Sequence, residues 1–423
     1  MMMRRILQCA LGVVLVLSLS SGNELGAKLS DGVPGWASVS VQRLGSQGPN
    51  FYRWKQLLLE NANGVSVGCQ FKDCIPTIYE PSFSPSGDVN DWLEPDDRVI
   101  GLDIGDSAKA YPLKVLNYHE VVNDHADDES ILVTYCPLCG SAVGFKRRLE
   151  GTTFKFGVSG LLHHSNLVLY DHETESFWDQ ITGEGIAGPH TSDKLTRIPL
   201  DVVRWGDWRL THPDTLVLER QTGPKAPDYE TYPYNDYRTS DSVYYGTTPS
   251  DDRLHPKTDI IGVSIQSASA AYPDRVLRSQ AVLQDRLGET PIAIIRHPKS
   301  GQVRAFDRRV DGETLTLDWR EGQLIDLETG SEWSLSGQAL NGAHEGTQLA
   351  TLSTTPSFWF AWAAYHPNTT VFEPTSASPP SQAPWSTSAW LGYAGLAAIA
   401  TLVGLMRLWH RVRRTPPRNP QSG

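Results

Sequence analysis

The stretch Ile131-Leu132-Val133-Thr134-Tyr135-Cys136-Pro137-Leu138-Cys139-Gly140-Ser141-Ala142-Val143-Gly144-Phe145 decides how the chain is read. Ile131–Tyr135 is β-branched and apolar, and Val143–Arg147 alternates, so each side of the cysteines is a strand. Pro137 stiffens the segment between them, and Gly140 can take the positive φ of a tight turn. The sequence also holds a second version of this hairpin. Shifted by 161 residues, 99–156 lies on 260–317 without a gap, with 18 identities in 58 positions, where chance gives roughly three. Gly101/Gly262, Tyr111-Pro112/Tyr272-Pro273, Pro137/Pro298, Gly140/Gly301 and Phe145/Phe306 are kept. His119, Glu120, Asn123, Cys136, Cys139 and Ser141 become Gln280, Ala281, Gln284, His297, Ser300 and Gln302. Scaffold is retained and chemistry is lost, which makes the first version the one that carries a site.

The later halves also align, with small gaps: Asp171…Thr174…Ser176…Trp178 on Asp326…Thr329…Ser331…Trp333, and Trp205…Trp208…His212 on Trp359…Trp362…His366. The tryptophans, spaced three apart, read as core anchors. These patterns predict a mainly β (α+β) fold of two internally duplicated, β-rich lobes related by a pseudo-two-fold. Copy A spans 99–218 and copy B 260–372. A short helix is expected within Pro112–Asn123. An N-terminal extension (28–98) precedes the copies, with a helix-like piece at Tyr52–Asn61. The 219–259 connector is rich in Tyr, Pro and Asp and reads as too polar for a core element.

The ends suggest a location. Residues 1–21 have a basic start and an apolar core, as in a secretory signal peptide. Residues 374–389 are rich in Pro, Ser and Thr, as in an extended linker. Residues 390–409 are apolar and of spanning length, with Arg407 able to snorkel, and 410–423 are basic. The positive-inside rule then puts that tail in the cytoplasm and the body outside, on a single-pass cell-membrane anchor. The formal charge is −11; without Arg4, Arg5, Arg407, Arg411, Arg413, Arg414 and Arg418 it is −18. Such a body repels nucleic acid. The expected partner is a small molecule or an envelope protein, with the membrane engaged through the C-terminal helix.

In an exported body disulfides persist, and Cys69 and Cys74, close together in a loop, read as a structural disulfide in preference to a metal site. Cys136 and Cys139 at i and i+3 can grip one soft ion. His119, lost together with them, is the best third ligand, with His163 and His164 also available. Two sulfurs and an imidazole suit one copper or zinc ion, in a centre open for catalysis or closed for structure. Glu120 and Asn123 are the candidate catalytic residues, orienting His119 or donating to substrate. A rival is a thiol–disulfide oxidoreductase using Cys136 and Cys139. A third reading is a non-catalytic envelope binding module stapled by the cysteines. A c-type haem does not fit, because Ser141 rather than His follows Cys139-Gly140.

With Asp73-Cys74-Ile75-Pro76, Asn117–Asp124, Thr134–Ser141, Phe156–Leu162, Ser165–Asp171, Glu175–Trp178 and His212–Thr215, the chain resembles a prokaryotic family classed as domain of unknown function 3179, over about residues 65 to 372. The resemblance implies no established activity. It also implies Asn where His164 stands and a variable residue at His163, which counts against both as ligands.

Overall fold

A computed structural model of the chain describes residues 49–104, 107–247 and 249–373. The segments read as signal (1–21), linker (374–389), membrane helix (390–409) and basic tail (410–423) lie outside those residues. Among the described residues, no helix is long and apolar enough to cross a membrane.

The fold is mainly β. In one sheet, Asp201–Arg204, Arg98–Ile104, Ser107–Pro112, Leu216–Leu218 and Phe83–Pro85 lie side by side in that order. A second sheet runs Arg197–Ile198, Ser141–Lys146, Glu129–Cys136, Val121–Ala126. A third contains the hairpin Phe156–His163/Asn166–Asp171 and the strand Phe177–Asp179, flanked by Val65–Val67 and Gly185–Ala187. The region 259–371 lays out a corresponding series. One sheet runs Thr354–Phe358, Asp259–Ile265, Ala268–Pro273, Thr370–Val371, and another Val282–Leu287, Thr290–Arg296, Val303–Asp307, Thr351–Leu352. Even the register repeats. Ile100 faces Tyr111 as Ile261 faces Tyr272, and Leu132 faces Phe145 as Ala293 faces Phe306.

The reason is visible in the buried anchors. Trp208 and Trp362 are almost wholly buried on the short helices Trp205–Thr211 and Trp359–Tyr365. Each indole N–H donates to a threonine hydroxyl, Thr215 at 3.0 Å and Thr369 at 2.9 Å. Each ring lies against a glycine of the neighbouring strand. A β-carbon on Gly101 would sit 2.4 Å from the Trp208 ring, and one on Gly262 2.3 Å from Trp362. Likewise Trp178 and Trp333 donate to Asp171 and Asp326 at 2.9 and 3.0 Å. These four indole N–H groups each find a side-chain oxygen, as buried polar groups generally do, whereas the buried Trp205 N–H has no partner.

One hairpin departs from the correspondence. Phe156 pairs with Asp171, whereas Leu317 pairs with Asp326. The first hairpin is therefore six residues longer. It also carries a register shift between Val158 and Leu162, and its tip passes the cysteines.

Two local expectations are revised. The helix after Pro112 ends at His119, and Asn123 lies in the strand Val121–Ala126, where the β-branched pair Val121-Val122 favours extended backbone. The 219–259 connector is not merely polar cover. Tyr229, Tyr234 and Tyr237 are buried. A tyrosine ring can be desolvated while its hydroxyl finds a partner, as those of Tyr229 and Tyr234 do in His119 and Glu120. The Tyr237 hydroxyl is buried without one.

Adding a methyl at Gly101 tests the glycine–tryptophan contact. Gly101→Ala should lower the unfolding free energy by about 1–3 kcal/mol through overpacking. Gly87→Ala, where nothing lies within 4 Å, should change it by less than about 0.5 kcal/mol. Urea denaturation of both variants checks this.

Candidate functional site: a buried dithiol

Cys136 ends the strand Glu129–Cys136, and Ser141 begins the next. The turn between them is closed by the Cys139 N–H donating to the Cys136 carbonyl at 3.1 Å. Gly140 has φ 57°, and a β-carbon there would meet the Phe358 ring at 2.8 Å. The Phe358 N–H donates to the Cys139 carbonyl at 2.7 Å, so the second strand series supplies one wall of the site. Both thiols are free and buried.

The tip of the long hairpin faces the sulfurs. His164 and Ser165 both have positive φ, 50° and 67°, between the paired residues His163 and Asn166. That is the two-residue turn whose twist suits a hairpin. It aims the Ser165 carbonyl at the cysteines, 3.3 Å from Cys139 Sγ and 3.9 Å from Cys136 Sγ. Asn166 donates to Ser141 Oγ and to Gln180 Oε1, each at 2.9 Å, and Gln180 Nε2 donates to Thr134 Oγ1 at 2.9 Å. Asn166 Oδ1 is buried and has no partner. Where Thr134, Ser141 and Gln180 form this network, the second series has Ile295, Gln302 and Leu335. Its own turn is held by a hydrogen bond between His297 Nδ1 and Ser300 Oγ at 2.8 Å.

The two thiols are shifted in opposite directions. Burial opposes ionisation of Cys136, but hydrogen bonds from the Cys139 thiol and from backbone N–H groups at Cys139, Leu167 and Leu138 prevail, and its pKa falls below the ordinary thiol value. Burial, the bond donated to Cys136 and the negative charge on Cys136 push Cys139 well above it. A buried pair can hold one charge far more cheaply than two.

Glu120 is the adjacent acid. It follows the helix with φ 56°, a conformation that costs a non-glycine residue on the order of 1 kcal/mol or more. Its backbone is gripped on both sides: its N–H donates to Leu116 O at 2.9 Å, and its carbonyl accepts from the Tyr135 N–H at 2.8 Å. Burial, then the charge of Cys136, raise its pKa well above the usual carboxylate value, opposed by a hydrogen bond donated by Tyr234 at 3.2 Å. Burial and the neighbouring sulfur both favour the neutral carboxyl.

The other sequence-predicted residues lie differently. His119 is fully buried, and its Nδ1 is 2.7 Å from the Pro76 carbonyl, so Nδ1 carries the hydrogen. Nε2 then accepts from the Tyr229 hydroxyl at 2.7 Å. Both ring nitrogens are engaged away from the sulfurs. Asn123 donates to the Phe156 carbonyl and accepts from the Phe156 N–H, both at 2.8 Å, which clamps the start of the long hairpin. His163 bonds Asp179 at 2.9 Å, and His164 stacks on His163 with centroids 4.4 Å apart. Among the described residues, no group of three or more His, Cys, Asp or Glu side chains is placed to hold a metal ion. Cys69 and Cys74 are joined as a disulfide.

Sequence reasoning missed the connector's part. Tyr234 and Tyr237 pack in the same apolar cluster as both cysteines. Ser165 Oγ bonds the carbonyls of Tyr244 and Gly246, drawing the connector over the site. Lys257, 7% exposed, donates to the carbonyls of Tyr237, Ser240 and Ser242. Its ammonium lies 3.5 Å from the Tyr237 ring centroid. Burial pulls its pKa down to about 8, although the nearby Cys139 and Asp241 charges oppose this. The close run of tyrosines in 229–245 was the available signal.

The raised pKa of Glu120 has a stability consequence. Its neutral form favours the fold fully below the unfolded value, near pH 4, and that contribution is lost as pH rises through the folded value. Glu120→Gln, which cannot ionise, should therefore be more stable than wild type at about pH 8, with the gain shrinking towards pH 4. Denaturant midpoints at both pH values check this.

No curated protein and no solved structure matches the chain. A family described as "Protein of unknown function (DUF3179)" matches residues 72–369, which include both cysteines, the long hairpin and the second strand series. The chain belongs to that family of proteins of unknown function.

Proposed function

We propose that Cys136 and Cys139 are a thiol–disulfide redox centre, with Glu120 handling the proton. The observation that carries this is the geometry of the pair: two free, buried thiols in one turn converging on the Ser165 carbonyl, with opposite pKa shifts and the buried Glu120 carboxyl beside them. The Cys136 thiolate attacks one sulfur of a substrate disulfide, and the expelled thiolate takes a proton from Glu120. Cys139 then gives its proton to the Glu120 carboxylate and attacks the Cys136 sulfur. This releases the second substrate thiolate and leaves a Cys136–Cys139 disulfide. The substrate gains two electrons and the dithiol loses two. Access requires the connector around Tyr244–Gly246, held by Ser165, to lift.

A second reading is favoured by a separate observation, the unpartnered Asn166 Oδ1 next to two sulfurs that converge on one carbonyl. Soft thiolates suit Cu(I) or zinc, so Cys136 and Cys139 would hold the ion. His119 could join only by giving up Tyr229. We further read the two strand series as products of one duplication, in which the second lost the chemistry and kept the packing; the repeated registers support this. The Cys69–Cys74 disulfide supports an oxidising, extracytoplasmic compartment, in line with the signal and anchor expected from the sequence.

Oxidised glutathione distinguishes the readings. In the full-length protein purified under reducing conditions, wild type should lose both alkylatable thiols. Cys139→Ser should retain a mixed disulfide at Cys136, and Cys136→Ser should retain none. Thiols that react only after denaturation would overturn the redox reading. Stoichiometric copper or zinc in wild type, absent from Cys136→Ser, would favour the metal reading.

A further inference from the structure

On another face of the cysteine turn lies a cleft of about 310 Å³ whose walls include Gly140, Gly301 and Ser357. It also gathers five arginines, Arg98, Arg204, Arg238, Arg278 and Arg296, and four aspartates, Asp96, Asp207, Asp259 and Asp274. The pairing of these charges is uneven. Arg204 bonds Asp96 at 3.0 Å and Arg278 bonds Asp274 at 2.5 Å. Arg98 and Arg238 share the single carboxylate of Asp259, at 3.3 and 3.0 Å. Among the described residues, Arg296 has no carboxylate within ion-pair distance.

We propose that this cleft binds a small organic monocarboxylate, with Arg296 as its principal cation. Three observations point there. Five guanidinium groups against four carboxylates leave one positive charge in excess, which a singly charged ligand neutralises and a dianion overshoots. Arg98, Arg204, Arg238 and Arg278 are each held by an aspartate, and among the described residues Arg296 alone of the five lining arginines is not. The volume sits at the small end of ligand cavities, and a guanidinium meets a carboxylate edge-on through two parallel N–H donors. Arg296 itself is half-buried; burial, then the neighbouring Arg278 and Arg204, pull its pKa down, opposed by Asp274 and Asp207 beyond ion-pair distance. The proposal stands whether or not the dithiol is a redox centre, although a bound carboxylate would lie against Gly140.

Calorimetric titration of the full-length protein with sodium pyruvate, at constant ionic strength and beside a phosphate titration, tests it. Saturable pyruvate binding is expected, weakened about ten-fold or more in Arg296→Gln. Absence of saturable binding, undiminished binding in Arg296→Gln, or tighter binding of phosphate than of pyruvate would each overturn it. Should Arg296→Gln fail to fold, phenylglyoxal modification of wild type decides. Pyruvate slowing the modification of Arg296 supports the site, and an unchanged rate refutes it.

Discussion

The cysteine turn closes because Gly140 adopts φ 57° and leaves empty the space that the Phe358 ring fills. Everything else around the sulfurs follows from that contact. It lets the Cys139 carbonyl accept from the Phe358 N–H, so the strand Thr354–Phe358 is joined to the hairpin turn. That strand pairs with Asp259–Ile265, and Asp259 is the carboxylate shared by Arg98 and Arg238. The turn's geometry and the charged cleft thus share one support. A second tie, from Asp201 to the Val303 N–H at 2.8 Å and to Arg304 at 2.6 Å, holds the two strand series together elsewhere. It is a buried ion pair strengthened by a backbone donor, the condition under which such pairs are tolerated inside a protein.

The electrostatics of the site come from dehydration rather than from strong ion pairs. Neither cysteine faces an arginine at bonding distance. The Cys136 sulfur is favoured as an anion by short dipoles: N–H groups of its own turn and of Leu167, and the partner thiol. Burial favours the neutral form of Glu120, while Lys257 directs its charge at three carbonyls and an aromatic face. In such a setting small movements of the covering connector change proton affinities strongly, because water readmitted near a buried group restores much of its usual behaviour.

The sequence made part of this legible and hid part of it. The strand–turn–strand around Cys136–Gly140 follows from β-branched flanks and the Pro and Gly of the turn, and the tryptophan anchors follow from their repeated spacing. Glu120 and the cysteines were marked by their joint loss at Ala281, His297 and Ser300. His119 was marked by the same loss, yet in the structure its nitrogens serve Pro76 and Tyr229. Its disappearance in the second series also tracks elements that series lacks: the segment around Pro76 and the docked connector. Asn123 likewise tracks the clamp on Phe156. Ser165 escaped notice because it contributes a backbone carbonyl, and side-chain identity carries no record of where a carbonyl points. The connector tyrosines were misjudged because composition counts a tyrosine as polar while packing uses its ring.

The six extra residues of the hairpin Phe156–His163/Asn166–Asp171 have a consequence for how such a site can come and go. The Ser165 carbonyl, the Asn166 amide and the hydroxyl that fastens the connector all ride on that one excursion. The stretches that lead into it, 99–156 and 260–317, are the same length in both strand series. A short deletion at the tip would remove the whole polar ceiling in a single event and leave the tryptophan-anchored core intact. The polar ceiling over the cysteines is therefore separable from the tryptophan-anchored core beneath it.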